Sequence, residues 1–208
     1  MASAQRNPVG RDSPLRVAAD FVSVETDMIE SVESVTAAGV AGSPSASSRS
    51  RALLDAALAA LERRGAVTSR VDLARLPADA LLGRRADPTV AAALATVAAA
   101  RILVVSTPIY RATYSGLLKV FFDLLAPAAL EGKVAIPIAT GGSVAHLLAV
   151  DHGLRPLLAS LGAVTVATGI YGTDAQFPDG DPATPLLEEV DRAAVEALTL
   201  AGVAAARV

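Results

Sequence analysis

STPIYRATYSGLLKVFFDLL, residues Ser106 to Leu125, follows directly on the apolar run Ile102 to Val105. A strand of that kind, a Thr-Pro turn, a short loop with two tyrosines and then an amphipathic helix make a strand-to-helix unit. In an open α/β sheet such a loop lies at the carboxyl edge, where ligands bind. Two loops of the same character flank it, GSPSASSRS (Gly42 to Ser50) and ATGGSVAH (Ala139 to His146). All three are rich in small residues and hydroxyls, and together they point to a site for a flat, phosphorylated ligand.

Working outward, the chain alternates strand and helix patterns. Strands are predicted at Ser34 to Ala41, Val67 to Leu73, Ile102 to Ser106, Val134 to Ala139 and Val164 to Ile170. Helices are predicted at Ser48 to Arg64, from Pro88 to about Ala100, and at Ser115 to Leu125, Val144 to Leu161 and Leu186 to Ala205. Pro77 to Pro88 and Thr173 to Pro185 read as loops. Gly153 and Pro156 should disturb the fourth helix, and Pro137 is awkward in a central strand because it cannot donate a ladder hydrogen bond. Five parallel strands joined by right-handed crossovers, with helices on both faces, give an α/β three-layer sandwich. The flavodoxin-like order 2-1-3-4-5 suits the count, and its switch point falls between the first and third strands. The loops after those two strands are GSPSASSRS and TPIYRATYS.

Composition narrows the class. The chain has 208 residues, enough for one well-filled domain, here 34–208, with residues 1–33 read as a flexible N-terminal extension. It is 52% hydrophobic, but alanine inflates that figure. Val90 to Val105, the longest apolar region, is broken by Thr96 and Arg101 and gives no bilayer span. A soluble, cytoplasmic protein is expected. There is no cysteine, so disulfides and thiolate chemistry are excluded. A net charge of −3 with scattered basic residues gives no nucleic-acid surface.

Each loop carries its own chemistry. In GSPSASSRS, Gly42 allows a close turn, the serines at 43, 45, 47, 48 and 50 supply hydroxyls, and Arg49 adds positive charge at a helix start. It matches neither GxxxxGK[ST] nor GxGxxG, and it also reads as an ordinary serine-rich helix cap. In the second loop Thr107 and Tyr110 can line a slot, Arg111 can meet a nucleotide phosphate, and Tyr114 can cap the helix or meet another subunit. Lys119 and Asp123 have the spacing of a surface ion pair. In the third, Gly141 and Gly142 place bare backbone amides where a ligand's polar edge would lie, or simply make a tight turn. His146 is expected to point at the same site. His152, six residues on, is badly placed for one helical face, so no metal pair is expected.

GSPSASSRS, TPIYRATYSGLLKVFFDLL and GKVAIPIATGGSVAHLLAVDHGLRPLLASLGA together resemble the NAD(P)H-dependent FMN reductases that accompany alkanesulfonate monooxygenases. The similarity runs from about Val35 to Ala167, nearly two thirds of the chain. It implies a flavodoxin-like fold, a homodimer or homotetramer, and FMN as substrate or bound cofactor with NADPH or NADH as reductant. Ser43, Ser48, Arg49 and Ser50 would hold the phosphate. Thr107, Pro108, Ile109 and Tyr110 would bound the isoalloxazine, with Thr140, Gly141, Gly142 and Ser143 on its other polar edge. Apart from the resemblance, Arg111 and His146 are read from their loops as facing the nucleotide substrate. Tyr114 would lie in a widened helical turn at a tetramer interface. Position 111 is arginine where relatives often carry lysine.

Hydride transfer between two stacked rings needs placement rather than a side-chain acid or base, so no catalytic residue is expected. The reduced flavin would pass to a partner monooxygenase, in organosulfur metabolism. Two alternatives share this site: a quinone, azo-dye or chromate reductase with tightly held FMN, and a non-catalytic flavodoxin-type carrier. Carriers grip FMN between aromatic rings and are strongly acidic, whereas this chain has no Trp, three Tyr and little net charge. A receiver-like signalling domain would need an acidic pair where Gly42 and Ser43 stand.

Overall fold

The computed structural model describes residues 34–202, so the extension expected over residues 1–33 lies outside the described residues. β1 (Thr36–Ala41) is buried at five of its six positions and sits inside a parallel sheet. It is followed by α1 (Arg49–Glu62), β2 (Val67–Asp72), α2 (Ala78–Leu81) and α3 (Pro88–Ala99). Then come β3 (Ile102–Tyr110), β4 (Thr113–Tyr114), α4 (Gly116–Phe122) and β5 (Val134–Gly141). The remainder is α5 (Arg155–Ser160), β6 (Val164–Thr165), β7 (Ile170–Thr173) and α6 (Thr184–Leu200). The sheet order is β2-β1-β3-β5-β6, with β7 pairing β5 further along and β4 folded back antiparallel on β3.

That is the flavodoxin-like 2-1-3-4-5 order, with the expected fifth strand split in two as β6 and β7. Alternation along β3 shows how the layers form: Ile102 and Val104 face one core, Leu103 and Val105 the other. The first core is closed by α1 and α6 through Leu53, Leu54, Leu61, Leu186 and Val190. The second is closed by α3, α4 and α5 through Val90, Val97, Phe121, Phe122 and Leu158. Phe121 and Phe122 meet edge to face at 5.9 Å, each fully buried and each contributing roughly 1.5–3 kcal/mol by removal from water.

The helix starts follow capping chemistry. Ser48, Asp87 and Ser115 each accept a backbone N–H at the start of α1, α3 and α4, and Pro88 fills the first turn of α3. Three of the segments between and within helices differ most from expectation. The Pro77–Pro88 loop contains the short α2. Helix α4 stops at Phe122, with Asp123 capping it and Lys119 paired to that carboxylate. The predicted fourth helix is broken into a 3-10 turn (Val144–His146), a π-helical turn (Val150–Leu154) and α5. Pro156 has no N–H to give the His152 carbonyl, which interrupts the α-helical ladder and leaves a wider turn ahead of it.

Pro137 is accommodated by the break in the fifth strand. The Ala135 carbonyl, two residues earlier, accepts from Val166 on the β6 side, so the N–H that Pro137 lacks would point to that side too. There β6 has ended and β7 has not begun. Val166 makes the last bond to β5 before the gap, and residues 167–169 leave the ladder. Arg155 donates to the Val166 and Ala167 carbonyls, and Glu196 accepts the Ala167 and Thr168 amides. Burial alone would raise the Glu196 pKa, but those amides and the charge of Arg155 hold its carboxyl below the usual range.

Candidate functional site

Gly42 fastens the carboxyl edge together. Its N–H donates to the Ser106 carbonyl at 2.8 Å, and its own carbonyl accepts the Ser115 hydroxyl at 2.5 Å. A Cβ at this position would stand 2.8 Å from the Ser106 carbonyl oxygen and 3.0 Å from Leu118, so the approach of β1 to β3 requires glycine. One residue on, the chain opens into a cleft lined by Ser43, Ser45, Ser47, Ser48 and Arg49 on one side. Pro108, Ile109 and Tyr110 line another side, and Thr140, Gly141, Gly142 and Asp174 the remaining one.

The three loops singled out in the sequence therefore converge, at the ends of β1, β3 and β5. Strand β3 reaches Tyr110, four residues beyond its expected end, because β4 folds back on it. The turn between them is Arg111-Ala112, with φ of 51° and 67°. Positive φ at both central residues is the hairpin geometry that glycine or asparagine normally occupies, and here the backbone holds it without either.

Several expected site residues do not line the cleft. Ser50 is fully buried, its hydroxyl 3.1 Å from that of Ser48. It supports the cap rather than facing a ligand. Thr107 is also fully buried, accepting the Ser115 amide at 3.0 Å and so tying β3 to the start of α4. Ser143 caps the following turn with its hydroxyl. Arg111 sits exposed at the hairpin tip. His146 faces a neighbouring hollow that it shares with Ala112, Thr113 and His152. The six-residue spacing that argues against a shared face applies to a regular helix, and this segment is not one. No cluster of three metal-ligating side chains occurs among the described residues.

Tyr114 is also placed differently from the resemblance. It lies in β4, not in a widened helical turn. The widened turn is Val150–Leu154, and Tyr114 is beside it: a Cβ on Gly153 would come within 3.0 Å of Thr113 and 3.5 Å of Tyr114. The apolar α4 positions Leu117 and Val120, with Leu124 and Leu125 after it, are half-buried against the same chain's core.

Asp174 lines the cleft after the last strand, and Tyr171 and Phe177 back its walls; none of the three is singled out in the sequence. Tyr171 donates to the Ser143 carbonyl at 2.7 Å and covers Gly141 so closely that any side chain there would collide with its hydroxyl. Burial, with the charge of Asp174 nearby, raises the Tyr171 pKa, so the hydroxyl stays protonated and donating. Asp174 forms an ion pair with Arg49. The Arg49 guanidinium also stands over the Phe177 ring, 5.9 Å from its centre. The available signal was strand length: β7 extends to Thr173, and carboxyl-edge logic then brings Asp174 into the site.

The donor set fits an anionic, flat ligand. Serine hydroxyls and Arg49 gather at the open start of a fourteen-residue helix, and the glycines at 141 and 142 leave backbone exposed along the opposite wall. The family model described as NADPH-dependent FMN reductase matches residues 35–177. The chain belongs to the NADPH-dependent FMN reductase family. Among relatives of this family, an FMN reductase (NADPH) of Pseudomonas putida is 40% identical over 81% of this chain and 87% of its own. An NADH-dependent FMN reductase, SfnF, of Pseudomonas fluorescens is 39% identical over 74% of this chain and 86% of its own. The apo crystal structure of an NADH:FMN oxidoreductase, EMOB, superposes with a TM-score of 0.71 at 37% identity, over 78% of this chain and 89% of that one. As a member of the FMN reductase family, this protein is an oxidoreductase that uses NAD(P)H and FMN.

Proposed function

We propose that the cleft takes FMN as an exchangeable substrate and releases it reduced to a partner flavin-dependent monooxygenase. The supporting observation is the lining itself. Among the described residues its one aromatic side chain is Tyr110, 49% exposed, so no pair of rings among them clamps the ligand. Ser43, Ser45, Ser47, Ser48 and Arg49 would hold the phosphate. Pro108, Ile109 and Tyr110 would bound the ring system, and the backbone of Thr140 to Gly142 would meet its polar edge. Thr107, Ser50 and Tyr171 would position these groups from behind. Bound FMN supplies the redox chemistry by accepting hydride from the nicotinamide. The chain's part is to orient both rings and to place neutral backbone donors where negative charge develops. Relatives named for NADPH and for NADH support either reductant, and a partner in organosulfur metabolism rests on the resemblance to the reductases that accompany alkanesulfonate monooxygenases. A reaction fed by NAD(P)H fits the cytoplasm.

Steady-state NAD(P)H oxidation with FMN as the varied component tests this. Turnover should rise from near zero and saturate with added FMN. Flavin that survives dialysis at full occupancy, with turnover indifferent to added FMN, would instead favour a reductase of quinones, azo dyes or chromate.

The same reading includes a homodimer or homotetramer. Val144, Leu147 and Leu148 are 67%, 43% and 58% exposed, next to the hollow that adjoins the β4 hairpin. Apolar residues so exposed in one short segment favour coverage by a second copy, with half-buried Tyr114 at its margin. Sedimentation over a concentration series should show an oligomer at micromolar protein, weakened in Tyr114→Ala. A wild-type monomer would remove the assembly, and an unchanged oligomer in the variant would remove only the role of Tyr114.

A further inference from the structure

Among the described residues lining the cleft, Arg49 is the one cation and Asp174 the one carboxylate. They neutralise each other through the ion pair that joins them, with side-chain exposures of 43% and 56%. Asp174 reaches that place by local backbone geometry. Thr173 offers both its amide and its hydroxyl to the Gln176 side chain, at 2.9 and 3.1 Å, and this capping box fixes the turn that begins at Asp174. Among the described residues Asp174 makes no second ion pair.

A phosphate monoester brings close to two negative charges at neutral pH. Arg49 therefore has two anions to choose between, and one of them belongs to the protein. We propose that Asp174 sets the affinity for FMN by competing with the flavin phosphate for Arg49, so that FMN binds reversibly rather than as a resident group. This rests on the reading of the cleft as an FMN site. If Arg49 turns to the phosphate, Asp174 is left beside a dianion with no cation of its own. If Arg49 serves both, each receives a weaker share of one charge. Either arrangement raises the FMN dissociation constant and leaves riboflavin, which has no phosphate, unaffected.

The opposite role, in which Asp174 helps by aiming Arg49, is disfavoured by Phe177. That ring is buried and already supports the guanidinium from beneath. The orientation does not depend on the carboxylate. Asp174 also lies along the cleft wall, its Oδ2 3.9 Å from where a Cβ of Gly142 would be, so its charge acts on whatever occupies the cleft.

The test is equilibrium quenching of flavin fluorescence for wild type, Asp174→Asn and Asp174→Ala, titrated with FMN and with riboflavin at low and high salt. Asn keeps an acceptor for Arg49 and removes the charge; Ala removes both. Both variants should bind FMN about tenfold more tightly, about 1.4 kcal/mol, with riboflavin changed less than about twofold, and the gain should shrink as salt screens the charges. FMN affinity unchanged or weakened in both variants would overturn the proposal, as would an equal gain for riboflavin. Wild type that binds neither flavin would overturn the FMN reading and this inference together. Wild type that binds FMN, with no gain in the variants, would overturn this inference alone.

Discussion

Arg49→Ala should weaken FMN binding by about 1.5–3 kcal/mol, roughly 10- to 150-fold, and riboflavin far less. The charge-assisted contact exists only for the phosphate, so the difference between the two flavins isolates it. The effect should lie towards the lower end, because Asp174 already holds part of the Arg49 charge in the free protein. Fluorescence titration of both flavins reads the outcome. Equal losses would mean that Arg49 serves the start of α1 and its packing on Phe177 rather than the phosphate.

Gly42→Ala should cost about 1–3 kcal/mol of stability, the range for forcing an extra methyl into a packed interior, and weaken FMN as well. The added Cβ meets a backbone carbonyl and the root of Leu118, neither of which can rotate away. β1 and β3 must separate at the point where Ser43 enters the cleft. Urea unfolding and flavin titration on the same samples measure both effects. An unchanged midpoint would show that the Gly42 loop shifts without strain and that its hydrogen bonds to Ser106 and Ser115 are dispensable.

The parallel order and the site loops were legible because both depend on local pattern. Ile102 to Val105 is an uninterrupted apolar run, and carboxyl-edge loops must follow such strands. The split of the fifth strand was not legible, since it depends on Pro137 in a different strand and on Arg155 and Glu196 in two helices. Ending that strand at Ile170 hid Tyr171 and Asp174. Residue type and the resemblance both give Thr107 and Ser50 to the ligand, and burial places them behind the loops. A regular helix would aim His146 at the cleft, but it sits in a 3-10 turn, Val144–His146, capped by Ser143.

The divided last strand also bears on how this chain behaves when concentrated. The outermost strand of a sheet presents open N–H and C=O groups on which a strand of another molecule can template itself. Here that border is two residues, a gap, and then four. Across the gap the carbonyls of Val166 and Ala167 are taken by Arg155 and the amides of Ala167 and Thr168 by Glu196. An incoming strand would find no continuous register to copy. For a chain that is 52% hydrophobic, that interruption guards this border against edge-to-edge aggregation.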